Sequence, residues 1–447
     1  MFETTNRRDF LRTSTVAAAG AAISTLALTP NVHAAGSDTI KVGIIGCGGR
    51  GSGAAENVLQ SAPNVEIVAI GDVFTAKTNG LRNHLTRWVA NDQTAKELGN
   101  KVDLPEERCF VGVDAAEKVI NSPANYIILA TPPGFRPPHI QATVAAKKNL
   151  FTEKPTGVDG AGVRRVLEAY EKAKEAGLHV AAGTQRRHQA GYIETIKRVH
   201  GGEIGDIVAM RCFWNQGPIW FRKRSELADL GVKDSDLAYQ LHNWYHFLWV
   251  CGDHICEQHV HNLDVCNWAM KNGHPKQVFG IGGRAQLPSG NPNEVGNIFD
   301  HFMLDYEYPN GVHMMSMCRQ MNGCDGNMRG VGGVSEALVG TKGTCQADAY
   351  LINGKQVAGR RGQKDPYVQE HTDLIESIRK NQPLNELKNV AESTLTAIMG
   401  RMAAYTGKTV TWEQALKTRE DTMPEKLTWD MKLETPPAAT PGRTPLV

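Results

Sequence analysis

The chain has 447 residues, with 49 basic against 47 acidic side chains and a formal charge of +2. That length exceeds one ordinary core and implies two domains, and the near balance of charge argues against a nucleic-acid or other polyanion partner. Nine cysteines, odd in number and without a Cys-x-x-Cys pair, argue against a disulfide framework or a zinc ribbon.

The first stretch is Thr5-Asn-Arg-Arg-Asp-Phe-Leu-Arg12, followed by an uncharged segment from Val16 to Leu28 and by Val32-His-Ala34. Basic region, moderate apolar region and small-residue cleavage site make a signal peptide over residues 1–34, cut after Ala34. Its apolar part is too short to span a bilayer, so no stable membrane insertion is expected. Arg7 and Arg8, followed by Phe10-Leu11, resemble the twin-arginine export signal. Such a signal implies folding in the cytoplasm and delivery to the periplasm by the twin-arginine machinery. Free buried thiols are compatible with that route.

Ile40 to Ile45 is apolar and rich in β-branched residues, the pattern of a buried parallel strand. It breaks into Gly46-x-Gly48-x-x-Gly51, and a helix is predicted from Ala54 to Gln60. Gly46 allows the tight turn, and Gly48 lets backbone N–H groups approach a pyrophosphate, with Gly49 and Arg50 in the same loop. Gly51 lets the new helix pack closely on the strand. A second apolar run, Val65 to Ile70, ends in Gly71-Asp72, and Asp72 stands 21 positions after Gly51. A carboxylate there bonds the adenosine ribose hydroxyls and repels a 2′-phosphate. Strand, glycines and acid together predict a Rossmann domain over residues 38–184 that takes NAD in preference to NADP.

Further along, Lys77 to Leu98 predicts a polar helix and residues 91–107 a solvated insertion. Tyr126 to Ala130 is an apolar strand that opens into Thr131-Pro132, where a doubly wound sheet holds its cofactor. His139 begins the next helix, and the strand Asn149 to Thr152 delivers Glu153-Lys154-Pro155. Val180 to Gly183 is the last apolar strand, running into Thr184-Gln185-Arg186-Arg187-His188.

This ordered set of motifs resembles the glucose–fructose oxidoreductase/inositol 2-dehydrogenase (Gfo/Idh/MocA) family, over roughly residues 40–415. The resemblance implies that Thr131, Pro132, His139, Glu153 and Gln185 lie along the cofactor. It also implies that Lys154 reaches the nicotinamide and the substrate hydroxyl, and that Pro155 is a cis residue. Segment 184–188 resembles the family's crossover facing nicotinamide and substrate, which would put Arg187 on the substrate. A basic pair at a domain junction is equally a structural ion-pair site.

From Gly205 the texture changes. Runs at Ile207 to Trp214, Gln277 to Gly280, Phe299 to Tyr306 and Val312 to Met317, separated by loops, predict a largely antiparallel sheet in an α/β domain over residues 185–415. In the family this is an open sheet often used for subunit pairing, which implies a homo-oligomer, a dimer or tetramer. Between the strands lies the His- and aromatic-rich stretch Gln240 to Asp264. Read as a helix, it puts Glu257 and His261 on one face. It resembles the family's reacting helix, whose Asp-x-x-x-His histidine takes the substrate hydroxyl proton; here Glu257 replaces the aspartate. His261 is the expected base, Glu257 the group that orients its ring, and Lys154 the group that favours the alkoxide. The histidines at 242, 246, 254, 259 and 261 also raise a metal site, but without His-Glu-x-x-His no metal is expected. Trp244, with Trp214, Trp220, Tyr245 and Trp249, could stack on a sugar face, although each alone is more often core.

Two amphipathic helices, Tyr367 to Arg379 and Val390 to Tyr405, are expected to close the fold, the last ones packing back on the Rossmann domain. The Pro-rich tail 416–447 is expected to lie extended and to make no core element. The reading is an NAD-dependent oxidoreductase with a tightly held cofactor, acting on a hydroxyl or keto group of a sugar, sugar alcohol or glycoside. Two alternatives stand beside it: an NAD-dependent glycosidase using transient oxidation and elimination, and a non-catalytic cofactor- or sugar-binding protein.

Overall fold

The computed structural model describes residues 39–325, 327–328, 331–359, 361–424 and 426–447. The export signal expected at residues 1–34 lies outside them. The fold is α/β. Its first sheet is parallel throughout, built from β1 (Ile40–Ile45), β2 (Val65–Asp72), β3 (Lys101–Val102), β4 (Cys109–Val111), β5 (Tyr126–Leu129), β6 (Asn149–Thr152) and β7 (Val180–Ala182). The spatial order is β3-β2-β1-β5-β6-β7, with β4 also on β2, so the connection reverses direction between β1 and β5. Helices cover both faces, which is why β5 and β7 are buried at every residue. The expected solvated insertion after residue 91 instead carries a short helix, Gln93–Glu97, and then β3. Asp92 caps that helix by accepting from the Ala95 N–H at 2.8 Å.

The second sheet contains β8 (Ile207–Gln216), β9 (Gln277–Gly283), β10 (His301–Glu307) and β11 (His313–Gln320). A small hairpin, β12 (Asn327–Met328) and β13 (Val331–Gly332), stands apart. β14 (Val334–Gly340), β15 (Gly343–Gln346), β16 (Leu351–Ile352), β17 (Lys355–Gln356) and β18 (Val410–Thr411) complete the sheet in the order β17-β16-β15-β14-β8-β11-β10-β9-β18. All its pairs are antiparallel except β8 with β11.

Two late helices join the layers. Pro366–Lys380 places Leu374, Ile375 and Ile378 into the same apolar cluster as Val42, Ile44 and Val58. Leu387–Thr406 is buried almost all round, with Leu395, Ile398 and Met399 in a cluster shared by Val166 of the helix Gly160–Glu175 and Leu304 of β10. The stretch 240–264 is not the single helix its pattern suggests. It runs as Asp236–His242, a 3₁₀ turn Trp244–His246, Leu248–Cys251, a π-helical turn Ile255–His259 and the helix Val260–Ala269. Left-handed Gly252 and Asp253, both at φ 75, make the sharpest break.

Candidate active site

The end of β1 turns at Gly46, whose φ is +99 and where a Cβ would stand 2.7 Å from the Ala130 carbonyl carbon and oxygen. A Cβ at Gly51 would meet the Gly46 oxygen at 1.8 Å, so the helix Gly49–Leu59 can lie this close to the turn only with glycine there. Gly48 and Gly49 face open space. The helix start therefore presents its N–H end to a cradle that side chains would fill, which fits a pyrophosphate. Gly51 itself sits behind the turn rather than on its open side.

At the end of β2, Asp72 accepts from the Cys47 N–H at 2.7 Å through Oδ2 and from the Phe74 N–H at 2.9 Å through Oδ1. Burial raises its pKa, and these backbone donors oppose that rise. Each oxygen keeps lone-pair capacity for a ribose hydroxyl. The strand order puts the ends of β2, β1, β5 and β6 side by side, and one cavity of about 590 Å³ follows them. Asp72, Gly46, Gly48, Gly49, Arg50, Thr131, Pro132, His139, Glu153, Lys154, Trp244, Glu257 and His261 all line it.

Glu153 is buried and ion-paired to Arg50, which also reaches Glu370 at 3.0 Å and lies 4.9 Å over the Tyr367 ring. Burial would raise the Glu153 pKa, but Arg50, Lys154 and Arg136 outweigh it and hold the carboxyl below its ordinary value. His139 is pushed down to about 4 by burial, with the Thr131 hydroxyl 3.5 Å from its Nδ1. The Lys154–Pro155 bond is cis, and Lys154 Nζ donates to both the backbone oxygen of Glu257 and, at 3.2 Å, its Oε1.

His261 is 8 % exposed, and its pKa is driven well below the ordinary value, first by burial and then by Lys154, Arg186 and Arg50. It is therefore neutral near pH 7 and competent to take a proton. Its ring stacks on Trp214 at 5.9 Å and 20°. Here the structure corrects one expectation: the Glu257 carboxylate bonds Lys154, not the imidazole, and Trp214 is what lies against the ring. The cause is the π-helical turn through Glu257. A wider turn removes the overlap that a four-residue spacing gives in an α-helix.

Two further expectations are corrected. Arg187 does not line the cavity; it forks onto Asp264 at 2.8 and 2.9 Å, donates to Asn272 at 3.0 Å and stacks on Trp268 at 5.3 Å. Its neighbour Arg186 pairs with buried Glu336 at 2.6 Å, so this basic pair is an ion-pair site. Gln185 also lies off the cavity wall, its Oε1 enclosed without a partner. The histidines of the 240–264 stretch disperse: His242 faces Glu226, His246 the Trp220 carbonyl, His254 Asp253, and His259 Ser316. Among the described residues no three His, Cys, Asp or Glu side chains converge as a metal site.

The tail also departs from expectation. Met423, Leu427, Trp429, Met431 and Leu433 pack on a cluster that includes Phe74 and Phe135, and Leu427 lines the cavity itself. The Trp429 ring lies 6.4 Å from that of Phe74, two residues beyond Asp72. Hydrogen bonds fix the strap at both ends: Thr422 to Asp159 at 2.8 Å, and Gln240 to the Leu433 carbonyl at 2.9 Å. Leu427, Trp429, Met431 and Leu433 alternate with Thr428, Asp430 and Lys432, the period-two signal of a half-buried extended segment, which the prolines at 424, 436, 437, 441 and 445 overshadow. Arg136, Trp220, Arg222 and Tyr367 complete the wall, without a local signature.

The geometry defines an NAD-type dinucleotide cleft with a lysine and a neutral histidine at one end. Residues 40–182 match the family model GFO_IDH_MocA, described as "Oxidoreductase family, NAD-binding Rossmann fold". Over this segment the chain is similar to the NAD-binding domain of that oxidoreductase family. The chain is 26 % identical over 207 residues to scyllo-inositol 2-dehydrogenase (NAD(+)) of Bacillus subtilis, covering 45 % of this chain and 54 % of that protein. It is 28 % identical over 168 residues to inositol 2-dehydrogenase of Agrobacterium fabrum, covering 37 % and 43 %. It thus spans about half the length of the curated relatives it matches. Among solved structures, scyllo-inositol dehydrogenase of Lactobacillus casei with NAD(H) and scyllo-inositol aligns with a TM-score of 0.57 at 17 % identity, over 84 % of this chain and 99 % of that one. Aldose-aldose oxidoreductase of Caulobacter crescentus aligns with a TM-score of 0.60 at 15 % identity, over 83 % and 99 %. These likenesses show the shared fold.

Proposed function

We propose that the protein is an NAD-dependent oxidoreductase acting on a secondary hydroxyl, or the matching ketone, of a sugar, sugar alcohol or glycoside. The observation that carries this reading is the convergence of Lys154 and neutral His261 on the cavity that also holds the glycine turn and Asp72. Gly48, Gly49 and the helix start would hold the pyrophosphate, and Asp72 the adenosine ribose. Bound NAD would supply the acceptor for the hydride that leaves carbon. His261 accepts the hydroxyl proton, and the Lys154 ammonium stabilises the oxygen as negative charge develops. Glu257 fixes that ammonium through two acceptors, which makes it a positioning residue. The names of the inositol dehydrogenases and of the aldose-aldose oxidoreductase support a polyol or sugar substrate. The test is to add a panel of polyols and sugars to protein with NAD and follow reduced cofactor, with His261→Ala as control.

Retention of the cofactor belongs to the same proposal. A twin-arginine signal would carry the protein folded into the periplasm, so NAD would be loaded before export. The tail strap, which packs on Phe74 and puts Leu427 into the cavity wall, supports slow release from the adenosine end. Protein purified without added nucleotide should release near-stoichiometric NAD(H) on denaturation; a stable, cofactor-free preparation that exchanges NAD freely would reject retention. The open face of the second sheet, with Phe279 55 % and Ile281 60 % exposed beside Met303 and Met315, supports pairing with a second copy.

A further inference from the structure

Arg136 opens the helix Arg136–Ala145, lines the cavity and is 4 % exposed. Its Nη1 donates to the Pro155 carbonyl at 2.6 Å, and its Nε is enclosed without a partner. Among the described residues no carboxylate forms an ion pair with it. The other cations at this end of the cavity are neutralised: Arg50 by Glu153 and Glu370, Lys154 by Glu257. Glu153 and Glu257 are the two carboxylates that Arg136 feels, and each already has a nearer cation. Burial lowers the Arg136 pKa to about 10, which leaves the guanidinium charged at neutral pH.

The helix adds to the imbalance. Its first turn contains no acidic residue, so the positive end of the helix dipole and the guanidinium share one sign. Pro137 and Pro138 carry no N–H, so the guanidinium is the principal donor at this helix end. A buried cation without a counter-ion is unfavourable unless a ligand brings one. The position says which ligand. Arg136 bonds the residue next to Lys154, at the end of β6, whereas the phosphate cradle follows β1 with β5 between them.

We propose that Arg136 is a specificity-determining residue and that the substrate is a sugar acid, whose carboxylate pairs with Arg136 while a secondary hydroxyl meets Lys154 and His261. This rests on the oxidoreductase reading above. A guanidinium fork is suited to a planar carboxylate and adds little to a neutral hydroxyl.

The experiment compares matched pairs on the full chain with NAD: glucuronate against glucose, galacturonate against galactose, and methyl glucuronoside against methyl glucoside. Wild type should favour the acid in kcat/KM. Arg136→Gln should lower the acid-to-neutral ratio by about 10- to 100-fold, chiefly through KM, and Arg136→Lys should keep part of the preference. Calorimetric NAD affinity of Arg136→Gln should stay within about twofold of wild type, against the tenfold or larger loss expected when a charge-assisted bond is removed. Equal use of acid and neutral members by wild type would overturn the proposal. So would a parallel fall in NAD affinity, which would assign Arg136 to the cofactor's phosphates. If no sugar of any kind is oxidised, the oxidoreductase reading fails; calorimetric binding of glucuronate against glucose then still decides the role of Arg136.

Discussion

The two sheets use opposite parts of themselves. The first is buried on both faces and works at its strand ends, where β1, β2, β5 and β6 present Gly46, Asp72, Thr131 and Lys154 in a row. The second works through its faces. One face carries Trp214 of β8 and packs the helix bearing His261; the other leaves Phe279, Ile281 and Met303 bare. The proposed reacting pair is split accordingly, the lysine from a strand end and the histidine from the helix Val260–Ala269 packed on a face. A parallel sheet can offer only its ends because helices occupy both sides. An antiparallel one has a whole side to spend on a partner.

Breaking the reacting pair should produce the largest effect. Lys154→Ala and His261→Ala are each expected to lower turnover by about two to four orders of magnitude while NAD still binds by calorimetry. Next comes the turn. Gly51→Ala should cost about 1–3 kcal/mol of stability and most of the NAD affinity, because its Cβ has no room against the Gly46 oxygen. Gly49→Ala, facing open space, should cost far less stability by urea denaturation, and a similar loss in both would refute the steric account.

Acid should act on the wall contributed by the second region. His246, buried and bonded to the Trp220 carbonyl, is pushed down to about 4 by burial. Between about pH 6.5 and its folded pKa the unfolded chain binds a proton that the folded chain refuses. Stability therefore falls as pH drops through that window, by about 1.4 kcal/mol per unit from this group. Urea midpoints of wild type and His246→Gln across the window should converge toward low pH; parallel profiles would discount the histidine. The smallest effect on the fold should come from the bare face. Phe279→Lys with Ile281→Lys should shift light-scattering mass toward the monomer and leave urea stability within about 0.5 kcal/mol per site.

Legibility in the sequence follows the range of the interactions. Gly46, Gly48, Gly51 and Asp72 act through local turn geometry and strand ends, so spacing alone reveals them. Lys154 and His261 stand out because short motifs surround them. Arg187 could not be placed this way, since its partner Asp264 lies 77 positions away and only the fold brings them together. Glu257 misled because the pattern assumes α-helical pitch and the chain makes a π-helical turn there. Arg136 gains its meaning from a cavity wall built by distant segments, which no periodicity encodes. Trp429, by contrast, stands in the alternation Leu427, Trp429, Met431, Leu433, which marks one buried side but not what it packs on.

The central claim is that one cavity binds NAD and oxidises a hydroxyl through Lys154 and His261. The most direct measurement is single-turnover absorbance of reduced nicotinamide on protein with stoichiometric NAD, mixed in turn with inositols, aldoses and sugar acids. The account predicts that at least one of them reduces the bound cofactor and that His261→Ala, still carrying NAD, does so at least about a hundredfold more slowly. Reduction at the same rate in His261→Ala, or none by any polyol or sugar in protein shown to hold NAD, would contradict it.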